Sequence, residues 1–248
     1  MNDQARRALA QREGVKREIR ERVWALLDNE RAVRPPGAQG RIPNFAGAEA
    51  AADRLAALPA WQAATVVKAN PDKAQLAVRA RALLDGKLVY MAVPRLADVH
   101  PFFLLDPNNL AASPWEAATS RQAAATARKV AVADLRPVDL VVCGSVAVNR
   151  NGARLGKGGG FSDIEVALLH EAGLIGPGTT VVTTVHALQV INEPIPETDH
   201  DFRVDLIVTP DEVIDCQAPR EPPRILWDHL DEDKIAAIPV LIMQRPTN

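Results

Sequence analysis

A chain of 248 residues, 47% apolar but only 4% aromatic, is long enough to bury a sizeable core and too evenly mixed for a disordered or fibrous protein. Its formal charge of −2 gives no general pull toward nucleic acid or an anionic membrane. Two cysteines, Cys143 and Cys216, are too few for a disulfide framework or a zinc site and are expected to be reduced. No apolar run reaches the ~18 residues of a membrane span, and Met1 to Arg7 has no signal-peptide core, so a cytoplasmic location is expected.

In chain order, residues 1–14 read as flexible. Apolar spacing predicts a helix over 11–29 with Ile19, Val23, Leu26 and Leu27 inward. A Pro/Gly linker follows from Arg34 to Gly40, then an Ala-rich helix over 47–58, a short strand over 63–68, a helix over 74–85 and a strand over 88–93. Another helix is expected over 115–131, a buried strand over 139–144, a helix over 164–172, and strands over 179–184 and 205–209. Helices alternating with strands imply an α/β fold, a single domain with a mainly parallel sheet and helices on both faces. The Pro-rich stretch 218–223 sets off a C-terminal extension, 218–248, expected to pack on the core through Ile225, Leu226, Trp227, Leu230 and Ile235.

The most telling stretch is Arg154-Leu155-Gly156-Lys157-Gly158-Gly159-Gly160-Phe161-Ser162-Asp163. Backbone without Cβ atoms can bring its N–H groups close around phosphate oxygens while the flanking cations neutralise their charge, and Asp163 could hold Mg²⁺ against them. The helix that follows adds unpaired N–H groups and a favourable dipole, and the strand 139–144 is expected to feed the loop. The spacing matches neither a P-loop nor a Gly-x-Gly-x-x-Gly dinucleotide turn. Asp163 could instead cap the helix, and Lys16 and Arg20 could lie on an ordinary solvated helix face. Asp205, inside an apolar strand, needs a partner because a buried lone carboxylate is costly. His186 and His200 are expected near the C-terminal rim of the sheet, either as loop residues or touching substrate.

The run from Asn149 to Asp163 resembles the signature of the 5-formyltetrahydrofolate cyclo-ligase family, which is close to G-x-R-L-G-x-G-x-G-Y-Y-D. Lys16-Arg17-Glu18-Ile19-Arg20 is similar to that family's N-terminal helix, and Val204-Asp205-Leu206-Ile207-Val208-Thr209 to its closing strand. Arg41 to Phe45, Val67 to Lys73 and Val93 to Leu96 resemble the methenyltetrahydrofolate synthase domain-containing branch. The resemblance implies a NagB/RpiA/CoA transferase-like fold and closure of 5-formyltetrahydrofolate to 5,10-methenyltetrahydrofolate, driven by ATP with Mg²⁺. Phosphorylation would turn a formyl oxygen, a poor leaving group, into a good one.

By that resemblance Lys16, Arg20 and the run Arg154, Leu155, Gly156, Lys157, Gly158, Gly159, Gly160, Phe161 and Ser162 bind ATP. Arg154 and Lys157 act on the transferring group, Asp72, Phe161 and Ser162 meet the substrate, and Asp163 and Asp205 hold Mg²⁺. Phe161 and Ser162 replace the family's paired Tyr, and no Glu stands between Lys68 and Asp85 where the family grips the pterin. The expected partner is therefore a small molecule, a reduced folate or another formyl or amide compound, with no nucleic acid or membrane. A catalytically silent nucleotide-binding protein is the remaining alternative, and the oligomeric state stays open.

Overall fold

The computed structural model describes residues 3–217, 219 and 221–245. Segments with no polar alternation must be covered on both faces, and such segments build the centre of an eight-stranded sheet. Its strands are β1 (Val66–Ala69), β2 (Leu88–Ala92), β3 (Phe102–Leu105), β4 (Arg128–Val130), β5 (Leu140–Cys143), β8 (Thr180–Thr184), β10 (Leu206–Val208) and β11 (Val213–Asp215), in the order β11-β10-β8-β5-β1-β2-β3-β4. The five from β10 to β2 are parallel, and antiparallel strands finish both edges. A second sheet of β6 (Ala147–Asn149), β7 (Arg154–Leu155) and β9 (Val190–Ile191) has the order β7-β6-β9.

The helices are α1 (Asp3–Asn29), α2 (Ala48–Ala56), α3 (Pro59–Ala63), α4 (Leu76–Leu84), α5 (Pro114–Ala117), α6 (Ser120–Thr126), α7 (Phe161–Glu171), α8 (Glu232–Ala236) and α9 (Pro239–Gln244). Alternate residues of each strand face opposite ways. Val67, Val89, Val142 and Val182 pack against α2, α3 and α4, whereas Val66, Tyr90, Val141 and Val181 pack against α7, α8 and α9. The expected α/β architecture, mainly parallel with helices on both faces, is what the chain adopts. A third cluster joins α1 to the small sheet through Ile19, Val23, Trp24, Leu27, Val146 and Leu155. No helix among the described residues is long and apolar enough to cross a membrane.

Five local expectations change, the first being that residues 3–14, read as flexible, form the opening turns of α1. Leu26 points outward and Trp24 takes the inward place, with its indole N–H donating to Arg41 O at 2.9 Å. The single helix over 115–131 is instead α5, α6 and β4: Ser113 forms a capping box with Glu116, and Thr119 caps α6 by accepting from Gln122 N, so a new helix starts six residues after the start of the first. The antiparallel β3 gave no distinct signal beside β2. The strand over 139–144 does not lead straight into the glycine run, because the β6–β7 hairpin stands between them.

That hairpin turns on Gly152, at φ 85°. Its carbonyl accepts from Val204 N at 2.9 Å, and a Cβ would press on Val204 O and Cys216 Cβ. Gly152→Ala should cost about 2 kcal/mol or more, from the left-handed backbone and the contact with fixed main chain. A melting temperature within ~1 °C of the wild type would contradict this.

Candidate functional site

Arg154 lies in β7 with its side chain 2% exposed, inside a protein whose strands offer it no carboxylate at the same depth. Its Nη1 meets Asp163 Oδ1 at 3.1 Å, Nη2 donates to Gly144 O at 3.3 Å, and the guanidinium stacks 4.5 Å from the Phe202 ring centre. Its Nε is buried without a hydrogen-bond partner. A buried donor left unmade costs about 1–3 kcal/mol, so an acceptor entering the adjoining cleft would have something to gain.

The cleft has the glycine turn as its floor. Gly160, at φ 66°, is the residue before α7, a left-handed position that glycine enters without strain. No side chain caps this helix, so its first N–H groups remain available, and Asp163 sits in the first turn facing Arg154 rather than capping. Lys16, Arg20, Arg154, Leu155, Gly156, Gly158, Gly159, Gly160 and Asp163 all line this one cleft. Helix α1 brings Arg20 in, its Nε donating to Gly156 O at 2.8 Å. Burial lowers the Arg20 pKa against the opposing pull of Glu13, Asp201 and Asp163.

Lys16, 1% exposed, pairs with Asp201 Oδ2 at 2.5 Å and with Glu13 Oε1 at 3.0 Å. A helix lysine so deeply buried is no solvated-face residue. Asp201 is further held by Thr198, whose N and Oγ1 each donate at 2.7 Å. Burial pushes the Asp201 carboxyl up, but Lys16 and Thr198 outweigh it and hold it below its ordinary value.

Other expected residues lie elsewhere. Asp205 is absent from the cleft lining: its Oδ2 accepts from Val181 N at 2.7 Å, at the opening end of β10, which explains a carboxylate beside an apolar strand without a metal. Beside Asp163 the cleft lining carries Asp201, four residues before Asp205, together with Glu13 and Asp231. Lys157 turns away from the cleft, half exposed, with Nζ 3.8 Å from Asp72 Oδ1. Ser162 Oγ accepts from Asn70 Nδ2 at 2.7 Å, and Asn70 Oδ1 accepts from Lys68 Nζ at 2.7 Å. Lys68 in turn forms a fully buried ion pair with Glu165 of α7, whose carboxyl burial pushes up. Asp72 and Ser162 thus belong to a layer behind the glycine turn. The loop 70–72 carrying it is held by the buried Arg79 guanidinium, which donates to the carbonyls of Asn70, Pro71 and Asp72.

His186 starts a 3-10 turn, its Nδ1 accepting from Leu188 N at 3.2 Å, and stands outside the cleft. Burial lowers its pKa. His200 lines the cleft, its ring edge-on to His229 at 6.0 Å. No local sequence pattern singles out His229 or Lys234, yet both line the cleft. Lys234 Nζ donates to Gly159 O and sits 3.4 Å over the Phe161 ring centre.

Among the described residues no group of three or more His, Cys, Asp or Glu gathers to enclose a metal. Asp163 and Asp201 fit Mg²⁺ chemistry nonetheless, since that ion is usually held by one or two carboxylates together with phosphate oxygens and water. Buried cations, an orphaned N–H donor and a glycine turn fit phosphate oxygens in the same way.

The family model described as the 5-formyltetrahydrofolate cyclo-ligase family matches residues 12–210. The methenyltetrahydrofolate synthase domain-containing protein of Mus musculus is 39% identical over 238 residues, covering 92% of this chain and 63% of its own length. The protein of the same name from Homo sapiens is 35% identical over 234 residues, covering 91% and 60%. The chain therefore spans about three fifths of the length of these curated relatives. The solved structure of Aquifex aeolicus 5,10-methenyltetrahydrofolate synthetase shares the fold, with a TM-score of 0.53 at 20% identity over 84% of this chain and 95% of that one.

A carboxylate held below its ordinary pKa stabilises the fold above the unfolded value, and that stability drains away as pH falls through the folded one. Asp201→Asn should therefore flatten the loss of stability below pH ~4 relative to the wild type. Parallel curves of unfolding free energy against pH would show that the Lys16–Asp201 pair contributes nothing.

Proposed function

The chain belongs to the 5-formyltetrahydrofolate cyclo-ligase family, and we propose that it catalyses ATP- and Mg²⁺-dependent closure of 5-formyltetrahydrofolate to 5,10-methenyltetrahydrofolate, releasing ADP and phosphate, with residues 1–248 acting as one unit. The observation that supports this most is the convergence of Lys16, Arg20 and Arg154 on an uncapped glycine turn with Asp163 and Asp201 in the same cleft. ATP supplies the phosphoryl group that makes the formyl oxygen a leaving group. The oxygen departs as part of the released phosphate, and N10 takes its place on the one-carbon unit.

Such chemistry asks the protein for no nucleophile. It needs fixed positive charge where phosphoryl oxygens gather charge, and dipoles that do not reorganise. Lys16 and Arg20 from α1 and Arg154 from β7 supply the charge, and each is tied to backbone or carboxylate so that it does not swing. The turn's backbone N–H groups complete the cradle. Asp163 and Asp201 are the groups suited to hold the divalent cation, in place of the expected pair of Asp163 and Asp205.

A second reading rests on one contact. Ser162 Oγ is engaged with Asn70 where the family has a Tyr, and Asn70 is backed by Lys68 and Glu165. A serine engaged within this layer in place of an aromatic hydroxyl suits a different formyl or amide substrate.

Mixing the protein with 5-formyltetrahydrofolate, Mg²⁺ and ATP should give an ATP-dependent rise in methenyltetrahydrofolate absorbance, and Arg154→Met should lower kcat by roughly 10²-fold or more. ATP-dependent phosphate release with another amide and none with the folate would select the second reading. Nucleotide binding with no turnover on any formyl or amide compound would leave only a silent nucleotide-binding protein.

A further inference from the structure

The family match ends at residue 210, yet the outer wall of the cleft is made by residues 224–234. Ile225 N donates to Glu171 Oε1 at 2.7 Å, and Ile225, Ile235, Ile238 and Leu241 are buried in the cluster that α7 shares with the sheet. This anchoring is ordinary core packing. It does not explain Lys234, which enters from the first turn of α8, where Asp231 accepts from Lys234 N at 2.6 Å and fixes the direction of the chain.

Lys234 is half-buried, and its ammonium reaches the carbonyl of Gly159 in the middle of the glycine turn while resting on the face of Phe161. Placing a lysine head there removes it from bulk water. An ammonium has three N–H donors and Gly159 O uses one, while Lys234 lines the same cleft as Lys16, Arg20 and Arg154. Ile225, Leu226 and Leu230 line the same cleft together with Leu9 of α1, so it combines apolar side chains with cations. A heterocyclic base and a phosphate chain have that same division of character.

We propose that the segment 224–234, outside the matched family region, is an integral part of the nucleotide site, with Lys234 binding the phosphate chain and Ile225, Leu226 and Leu230 walling the base. The inference rests on the nucleotide reading given above. It makes the cleft of this chain a composite one, with one phosphate cation contributed by a segment beyond the matched residues 12–210.

The test measures binding to the full chain by displacement of a fluorescent ATP analogue, using Mg²⁺-ATP and adenosine as competitors. Lys234→Met removes the charge and the donor; Lys234→Gln keeps a donor for Gly159 O and removes the charge alone. Both should weaken Mg²⁺-ATP by roughly 10-fold or more and adenosine by less than ~2-fold, while Lys234→Arg stays within ~3-fold of the wild type. Folded variants that bind Mg²⁺-ATP as the wild type does would overturn the inference, as would equal losses for ATP and adenosine, which is the pattern of a residue that merely holds the wall. A wild-type chain with no affinity for Mg²⁺-ATP would overturn the nucleotide reading beneath it.

Discussion

The Arg154 guanidinium is the point on which the walls of the cleft are hung. It reaches Asp163 at the start of α7, Gly144 O at the end of β5 and the Phe202 ring in the loop before β10. A charge that deep is tolerated only when its surroundings are arranged around it. Those surroundings are three separate segments of chain, so satisfying one side chain fixes their relative positions. The cleft is in this sense a by-product of burying a cation, and Nε is the one atom of that guanidinium left buried without a hydrogen-bond partner.

A second buried charge stands behind the first. Lys68 interrupts an otherwise apolar β1 and is matched by Glu165 on the inner face of α7, with Asn70 and Ser162 continuing the hydrogen-bond chain toward the glycine turn. Removing either ion alone would strand the other in a medium that solvates it poorly. Polar contacts thus tie the end of β1 to the turn, alongside the apolar packing of Phe161 and Ile164 on the core. Arg79 reinforces this from the far side by holding the carbonyls of residues 70–72.

Much of this was legible in the sequence wherever a single segment carried the signal. The glycine turn, the helix that opens from it, the pairing of Lys16 with Arg20 one turn apart and the parallel core strands all follow from local pattern. Asp201 and Asp205 could not be ranked the same way. They lie four residues apart in an irregular segment, and Asp205 is drawn from the cleft by its bond to Val181 N. The break between α5 and α6 was readable, since Ser113 and Thr119 are both capping residue types, but the apolar spacing across it concealed the stop. Lys234 and His229 gave no local sign at all, because what makes them significant is contact with residues some thirty to seventy positions away.

Lys16 meets Asp201 across 185 positions of sequence, and Leu9 faces a wall made by residues 224–234. On a chain made from its N-terminus at ~5–20 residues per second, α1 would emerge roughly ten seconds or more before its counterparts. For that interval it would expose Ile19, Val23 and Leu27 while the loop that neutralises Lys16 did not yet exist. The cleft would thus gain its outer wall only once residues 224–234 had been made, and a product ending before them would carry the glycine turn with that wall missing.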